Sequence, residues 1–230
     1  MMLSEHTYKQ FDTELEAVRA SVLKMGGLVE EQITNAVEAL ISGNMELADQ
    51  VDANDHNVNA LEVAIDEDCT HIIARRQPTA SDLRMVMMIV KTITDLERIG
   101  DESEKIGFLA SKLAGMDRPT GSYVELKNLG HHVLQMVRDT MNAFARLDVA
   151  ACKSIMLEDD RVDDEYDAIT RQCITFMMED PHSVQRVMNV TWAARALERI
   201  GDHAKNICEY VVYMVEGRDI RHTRHTKDEQ

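Results

Sequence analysis

Asp95–Ile106 reads DLERIGDESEKI, and Ala196–Ile207 reads ALERIGDHAKNI. Six letters, LERIGD, recur unchanged, so that Glu97 is matched by Glu198 and Asp101 by Asp202. Each copy sets two carboxylates four residues apart beside a glycine. On a helix that turns about 100° per residue, with Ile93 at zero, Leu96 falls near 300° and Gly100 near 340°. Glu97 then falls near 40° and Asp101 near 80°, so both acids flank the apolar face. A glycine on that face weakens the helix by about 1 kcal/mol relative to alanine, which points to a packing partner that must come close.

The pattern extends outward from these two stretches. Val51, Val58, Ile65 and Cys69 stand opposite Ile155, Val162, Ile169 and Cys173 at one constant offset, 155 − 51 = 104. At LERIGD the offset is 198 − 97 = 101, which leaves three extra residues around the second loop of the first half. Apolar residues recur at three- and four-residue spacing almost throughout. Breakers are few. Gly43-Asn44 ends a first helical run that starts near His6 and that Gly26-Gly27 should bend. Gln77-Pro78-Thr79 ends a second, with Thr79 and Asp82 placed to cap the next. The stretch Gly115–Ser122, GMDRPTGS, reads as a linker. Helical runs follow at Tyr123–Arg146, Val149–Met178 and Ser183–Glu216. The expected fold is all-α: two tandem, similar three-helix bundles over 1–115 and 123–217, then a frayed tail, 218–230.

Composition narrows the function. The 230 residues are 44% hydrophobic but only 4% aromatic, with ten glycines and three prolines, which suits long helices rather than strands. A net charge of −16 argues against nucleic acid, whose binders need a basic face. The N-terminus, MMLSEHTYKQFDTELE, lacks the basic-then-apolar order of a signal peptide, and no apolar run reaches the roughly 20 residues of a membrane span. Cys69, Cys152, Cys173 and Cys208 show no CxxC spacing and read as buried thiols of a cytoplasmic protein.

A second acid-bearing stripe lies on the preceding helix: Asp55 and Asn59, with Glu62 and Asp66, in the first half, and Asp159 and Asp163, with Tyr166 in place of Glu62, in the second. At about 1.5 Å of rise per residue, Asn59 and Asp55 lie roughly 28 and 34 Å below Pro78, and Glu97 and Asp101 roughly 26 and 32 Å below Thr79–Ala80. Asp163 and Asp159 lie roughly 27 and 33 Å from Pro181, and Glu198 and Asp202 roughly 25 and 31 Å. The levels match in both halves. If the helices face each other, each bundle carries a quartet: Asp55, Asn59, Glu97 and Asp101, then Asp159, Asp163, Glu198 and Asp202.

Gathering carboxylates within ~6 Å costs about 0.7 kcal/mol per pair even at the dielectric of water. A cation reverses that sign, and hard oxygen ligands on facing helices suit Mg²⁺, Mn²⁺, Ca²⁺ or iron better than a structural zinc. The competing reading makes these acids solvated flanks paired with Arg98, Arg199 or Lys105. Arg98 and Arg199 point away from the quartets and read as surface or interface residues. Met85–Met88 read as core, and His131-His132 as a solvated face. His222 and His225, in the tail, are weak metal candidates. No catalytic triad, Cys–His pair or phosphate loop is legible. A carboxylate-bridged di-iron enzyme needs Glu-x-x-His on two helices, and Gly100 and Gly201 occupy those places.

The two LERIGD copies, FDTELE near the start, IDEDCTHIIARRQPTASDLR at Ile65–Arg84, and MEDP at Met178–Pro181 together resemble the PhoU family over nearly the whole chain. The resemblance implies a homodimer of two similar three-helix bundles with metal clusters on the bundle surfaces, iron or zinc in some members. The family's E(D)xxxD motifs map onto Glu97/Asp101, Glu198/Asp202 and Asp159/Asp163. Asp55/Asn59 is a partial fourth, because Asn59 departs from the acid pattern. The implied role is a non-enzymatic, cytoplasmic negative regulator of the phosphate-starvation response, peripheral to the inner membrane through its partners. Those partners are the sensor histidine kinase PhoR and the phosphate transporter's ATPase, PstB. The expected cofactor is a divalent or trivalent ion: iron, zinc, manganese or magnesium. A metal-storage or metal-buffering protein is the alternative.

Overall fold

Six helices carry the chain: α1 (Met2–Ser42), α2 (Met45–Arg76), α3 (Ala80–Ala114), α4 (Val124–Arg146), α5 (Val149–Glu179) and α6 (Val184–Glu216). A single 3₁₀ turn, Pro181–Ser183, precedes α6. The computed structural model describes residues 2–117 and 123–220, with side chains from Gln10 onward. Among the described residues there is no strand, and the fold is all-α as the apolar spacing predicts. The helix order is the same in both halves. Of the linker, Gly115–Asp117 is described and 118–122 lies outside the described residues. The last ten residues, with His222 and His225, also lie outside them.

Local chemistry sets the helix ends. The Asn44 side chain accepts from the Glu46 amide (3.0 Å) and the Asp148 side chain from the Ala151 amide (3.0 Å), each satisfying a first-turn N–H. Gly43 and Gly217 take left-handed φ values of 76° and 68° just past α1 and α6, where a side chain would be strained.

Within each half all three helices pack on one another. The halves are joined by α3 against α6 and α1 against α4, whereas α2 and α5 touch only helices of their own half. The α1–α4 crossing uses one glycine from each helix at equivalent places, 130 − 26 = 104. A side chain at Gly26 would meet Met141 at 2.6 Å, and one at Gly130 would meet Val37 at 2.8 Å. Helix α1 runs through Gly26-Gly27 without interruption, so Gly26 serves close approach rather than a break. One continuous apolar core, including Val22, Ile33, Ile93, Phe144, Leu197 and Ile200, spans both halves. Burying such side chains stabilises the fold by roughly 1.5–3 kcal/mol each.

The α3–α6 seam is antiparallel and partly polar. His203 Nδ1 meets Asp95 Oδ1 at 2.7 Å, and Asn206 Nδ2 donates to the same oxygen at 3.1 Å. Arg199 pairs with Glu102 across the seam at 2.5 Å, so Arg199 is an interface residue, as its wheel position predicts. The buried Asp95–His203 pair has no counterpart in the other half, where Ala196 and Glu102 take the aligned places. Cys69, Cys152, Cys173 and Cys208 are free and buried. Met85 and Met88 are buried while Met87 is exposed. His132 departs from the expected solvated face: its Nδ1 lies 2.9 Å from Glu165 on α5.

Candidate functional site

Each half gathers its acids where two long helices pass at matched height. In the first half, Asp55 projects from α2 and is 8% exposed, a burial that an isolated carboxylate resists. It is reached because Gly100 keeps α3 thin there: a Cβ on Gly100 would lie 3.3 Å from Asp55 Oδ1 and 3.2 Å from Gln32 Oε1. Gln32, from α1, is fully buried, and its Nε2 donates to Asp55 Oδ1 at 3.4 Å. Asn59 Nδ2 donates to Asp55 Oδ2 at 2.7 Å. This leaves Gln32 Oε1 and Asn59 Oδ1 buried without a hydrogen-bond partner among the described residues.

Three acids converge on this point. Asp55, Asp101 and Glu104 each offer a carboxylate oxygen, all within 4.8 Å of one another. Their mutual charge is expressed in their acidity. Burial, then the Asp55 charge, raises the pKa of Asp101, and burial with Asp55 and Asp52 raises that of Glu104. Glu97 is raised by burial and by Asp101, Glu62 and Asp55. Beside the cluster is an open groove of about 410 Å³ lined by Asp49, Asp52, Asp101, Glu104 and Phe108.

The second half repeats the frame with different groups in it. Gly201 lets α5 approach, since a Cβ there would meet Val162 at 3.2 Å and Asp159 Oδ1 at 3.6 Å. Asp159 and Glu198 are buried, and Asp159 Oδ1 and Glu198 Oε2 have no hydrogen-bond partner among the described residues. Burial and the Asp202 charge push the Glu198 carboxyl up to about 7. Burial and Asp159 raise both Asp202 and Asp163. This cluster also contains two cations. Lys205 Nζ donates to Asp159 Oδ2 at 2.5 Å, and Arg195 pairs with Glu198.

Thus Asp55, Asn59, Glu97 and Asp101 come together, as do Asp159, Asp163, Glu198 and Asp202, and the matched levels are realised. The sequence reading did not include Gln32, Glu104 or Lys205. Glu104 and Lys205 are aligned, 205 − 104 = 101, so one position carries an acid in the first cluster and an ammonium in the second. Gln32 aligns with Met136, 136 − 32 = 104, whose sulfur faces Gly201 as Gln32 faces Gly100.

A duplicated three-helix architecture, with a carboxylate cluster held against a glycine in each copy, defines the class: an all-α tandem-repeat protein with paired acidic sites. The profile of the PhoU domain matches residues 22–110 and again 126–211, so the chain belongs to the PhoU family. It is 50% identical over 220 residues to the phosphate-specific transport system accessory protein PhoU homolog of Pseudomonas putida, covering 96% of this chain and 86% of that one. Against the phosphate-specific transport system accessory protein PhoU of Escherichia coli it is 48% identical over 221 residues, covering 96% and 91%. The crystal structure of PhoU from Pseudomonas aeruginosa superposes with a TM-score of 0.88 at 48% identity, covering 90% of this chain and all of that chain (100%). The phosphate transport system regulatory protein PhoU from Streptococcus pneumoniae gives a TM-score of 0.84 at 31% identity, covering 91% and 98%. No described helix is long and apolar enough to cross a membrane.

Proposed function

We propose that this chain is a cytoplasmic accessory protein of phosphate-specific transport that restrains the phosphate-starvation response. In this reading it is an adaptor between the transporter's ATPase and its sensor histidine kinase, works as a homodimer, and catalyses no reaction itself. The observation that carries the reading is near-full-length identity of about half to proteins named for that transport system. The two bundles, 1–115 and 123–217, are the units that present the acid clusters to partners.

The donor chemistry fits a hard cation. Asp55, Asp101 and Glu104 would hold it in the first half, with Gln32 Oε1 and Asn59 Oδ1 as neutral oxygens that lack another partner. Asp159, Asp163, Glu198 and Asp202 would hold it in the second, in competition with Lys205 and Arg195. A bound divalent or trivalent ion supplies the positive charge that these acids lack, and so fixes the surface around them. Gly100 and Gly201 sit where a di-iron carboxylate enzyme would need histidine, and each lies hard against an acid of its cluster.

The test combines metal analysis of purified protein with a phosphate-response reporter in cells. Glu198→Ala with Asp202→Ala should remove metal from the second cluster, keep helix content, and switch on starvation genes in rich phosphate. If the double variant loses metal but represses normally, the cluster is not the regulatory surface. If the wild type takes up no metal at stoichiometric supply, the cation reading fails.

A further inference from the structure

Comparing the two halves exposes a groove that one of them leaves open. In the first half, α1 extends well before its crossing with α4, and Phe11, Leu15, Val18 and Val22 pack over the α2–α3 face. Below them Ile65, Cys69, Ile72, Val86 and Ile89 are at most 4% exposed. Arg76 locks this cover in place through a two-pronged bond to Glu14 of α1, at 2.6 and 3.0 Å. In the second half, the offset of 104 aligns Phe11 and Leu15 with the linker, and α4 begins only at Val124. The aligned face, made by Ile169, Cys173 and Phe176 on α5 with Val187 and Val190 on α6, therefore lines a cavity of about 160 Å³. Phe176 is 38% exposed where its counterpart Ile72 is 4%.

The rim tells what belongs there. Arg75 and Arg76, which receive the acidic α1, align with Glu179 and Asp180, 179 − 75 = 104. Glu125 adds a third carboxylate, and Arg186 is the single cation lining the groove. The geometry points to the α5–α6 groove as a docking site for a basic amphipathic helix of a partner protein. That helix takes the place α1 fills in the first half, with apolar residues at the spacing of Phe11, Leu15, Val18 and Val22 and a Lys or Arg where α1 has Glu14. The mode is a helix laid in a groove, with its apolar stripe inward and its charges on the rim. A second copy's α1 is a poor occupant, because its Glu14 and Glu16 would face Glu179 and Asp180. This docking surface is distinct from the acid clusters and does not depend on bound metal.

The experiment uses the full chain and two labelled peptides that copy residues 6–23, one native and one carrying Glu14→Arg, read by fluorescence anisotropy. The Glu14→Arg peptide should bind roughly three- to fivefold more tightly than the native one, the range of an exposed charge pair. Phe176→Glu, at a partly exposed position that folding tolerates, should weaken it by at least about tenfold, as loss of an aromatic anchor does. Glu179→Arg should remove or invert the preference between the peptides, and circular dichroism should show both variants folded. Equal binding of the two peptides, no binding up to millimolar concentration, or indifference to Phe176→Glu would overturn the proposal. So would a homodimer that Phe176→Glu dissociates, since the groove would then belong to a second copy.

Discussion

The two acid clusters share one frame and differ in what fills it. Both place an aspartate of the middle helix, Asp55 or Asp159, against a glycine of the last helix, Gly100 or Gly201. Around that frame the first cluster has Gln32, Asn59 and Glu104, and the second has Met136, Asp163 and Lys205 at the aligned positions. The second cluster thus contains its own counter-ion: Lys205 bonds Asp159 at 2.5 Å, while Asp55 is met only by the amides of Gln32 and Asn59. A duplicated site can keep its geometry and still diverge in how much it needs a cation from solution. The first cluster, with three converging carboxylates and orphaned amide oxygens, has the larger unmet demand.

Exchanging the charges at the aligned position should give the largest effect. Glu104→Lys should weaken Mn²⁺ binding at the first cluster, and Lys205→Glu should strengthen it at the second. Each replaces one unit charge by its opposite near the ion, worth ~2 kcal/mol at about 4 Å even in water's dielectric, or roughly thirtyfold. Isothermal titration of both variants reads this, and the comparison breaks if either leaves its affinity unchanged.

Next come the glycines. Gly100→Leu drives a side chain into Gln32 Oε1 and Asp55 Oδ1, 3.2 and 3.3 Å from the Cβ position. It should destabilise the fold by about 1–3 kcal/mol, as overpacking does, and remove metal from the first cluster. Gly201→Leu meets Val162 and the flexible thioether of Met136 instead, and should cost less. Urea unfolding of both variants decides the order.

How much of this was legible in the sequence follows from where each residue sits. The helices were plain because apolar spacing and the loop signals at Gly43-Asn44 and Pro78 left little choice. The eight acid-stripe residues came from the repeat and from counting rise along two helices, and the structure brings each set of four together. Glu104 carried the same signal: it lies one turn past Asp101, near 20° on the same wheel, but outside the repeated six letters. Lys205 was hidden because a lysine does not read as part of an acid cluster, although alignment places it there. Gln32 gave no local sign. It comes from a helix whose phase against α3 is set by the Gly26 and Gly130 crossing, which only tertiary packing reveals. The Asp95–His203 seam was equally unreadable, because the duplication does not preserve it.

A smaller effect separates the clusters by pH. Glu198 titrates at about 7 in the fold against 4.5 as a free side chain, because it is buried and faces Asp202. The folded state therefore holds a proton that the unfolded chain has already released. Metal-free protein should lose stability as pH rises from 4.5 towards 7. Glu198→Gln should flatten the part of the profile near neutrality, as followed by thermal melts across that range, while bound metal should flatten it in the wild type. A slope unchanged in Glu198→Gln would remove Glu198 as its source. The smallest effect is expected from Asn59→Asp, which makes the first cluster resemble the second by exchanging the amide that donates to Asp55 for an acid. Without metal it should destabilise by a few tenths of a kcal/mol, the scale of like charges four apart on a helix. Excess Mn²⁺ should reverse the sign.

The most direct test of unequal clusters follows the backbone amides of Gly100 and Gly201 by nuclear magnetic resonance while Mn²⁺ is added to the wild-type protein. Each glycine lies against one cluster, so paramagnetic broadening reports which site fills. Gly100 should broaden at substoichiometric Mn²⁺ and Gly201 only at higher concentration, with Lys205→Glu bringing the two together. Broadening of Gly201 first, or of both glycines in step in the wild type, would contradict the account.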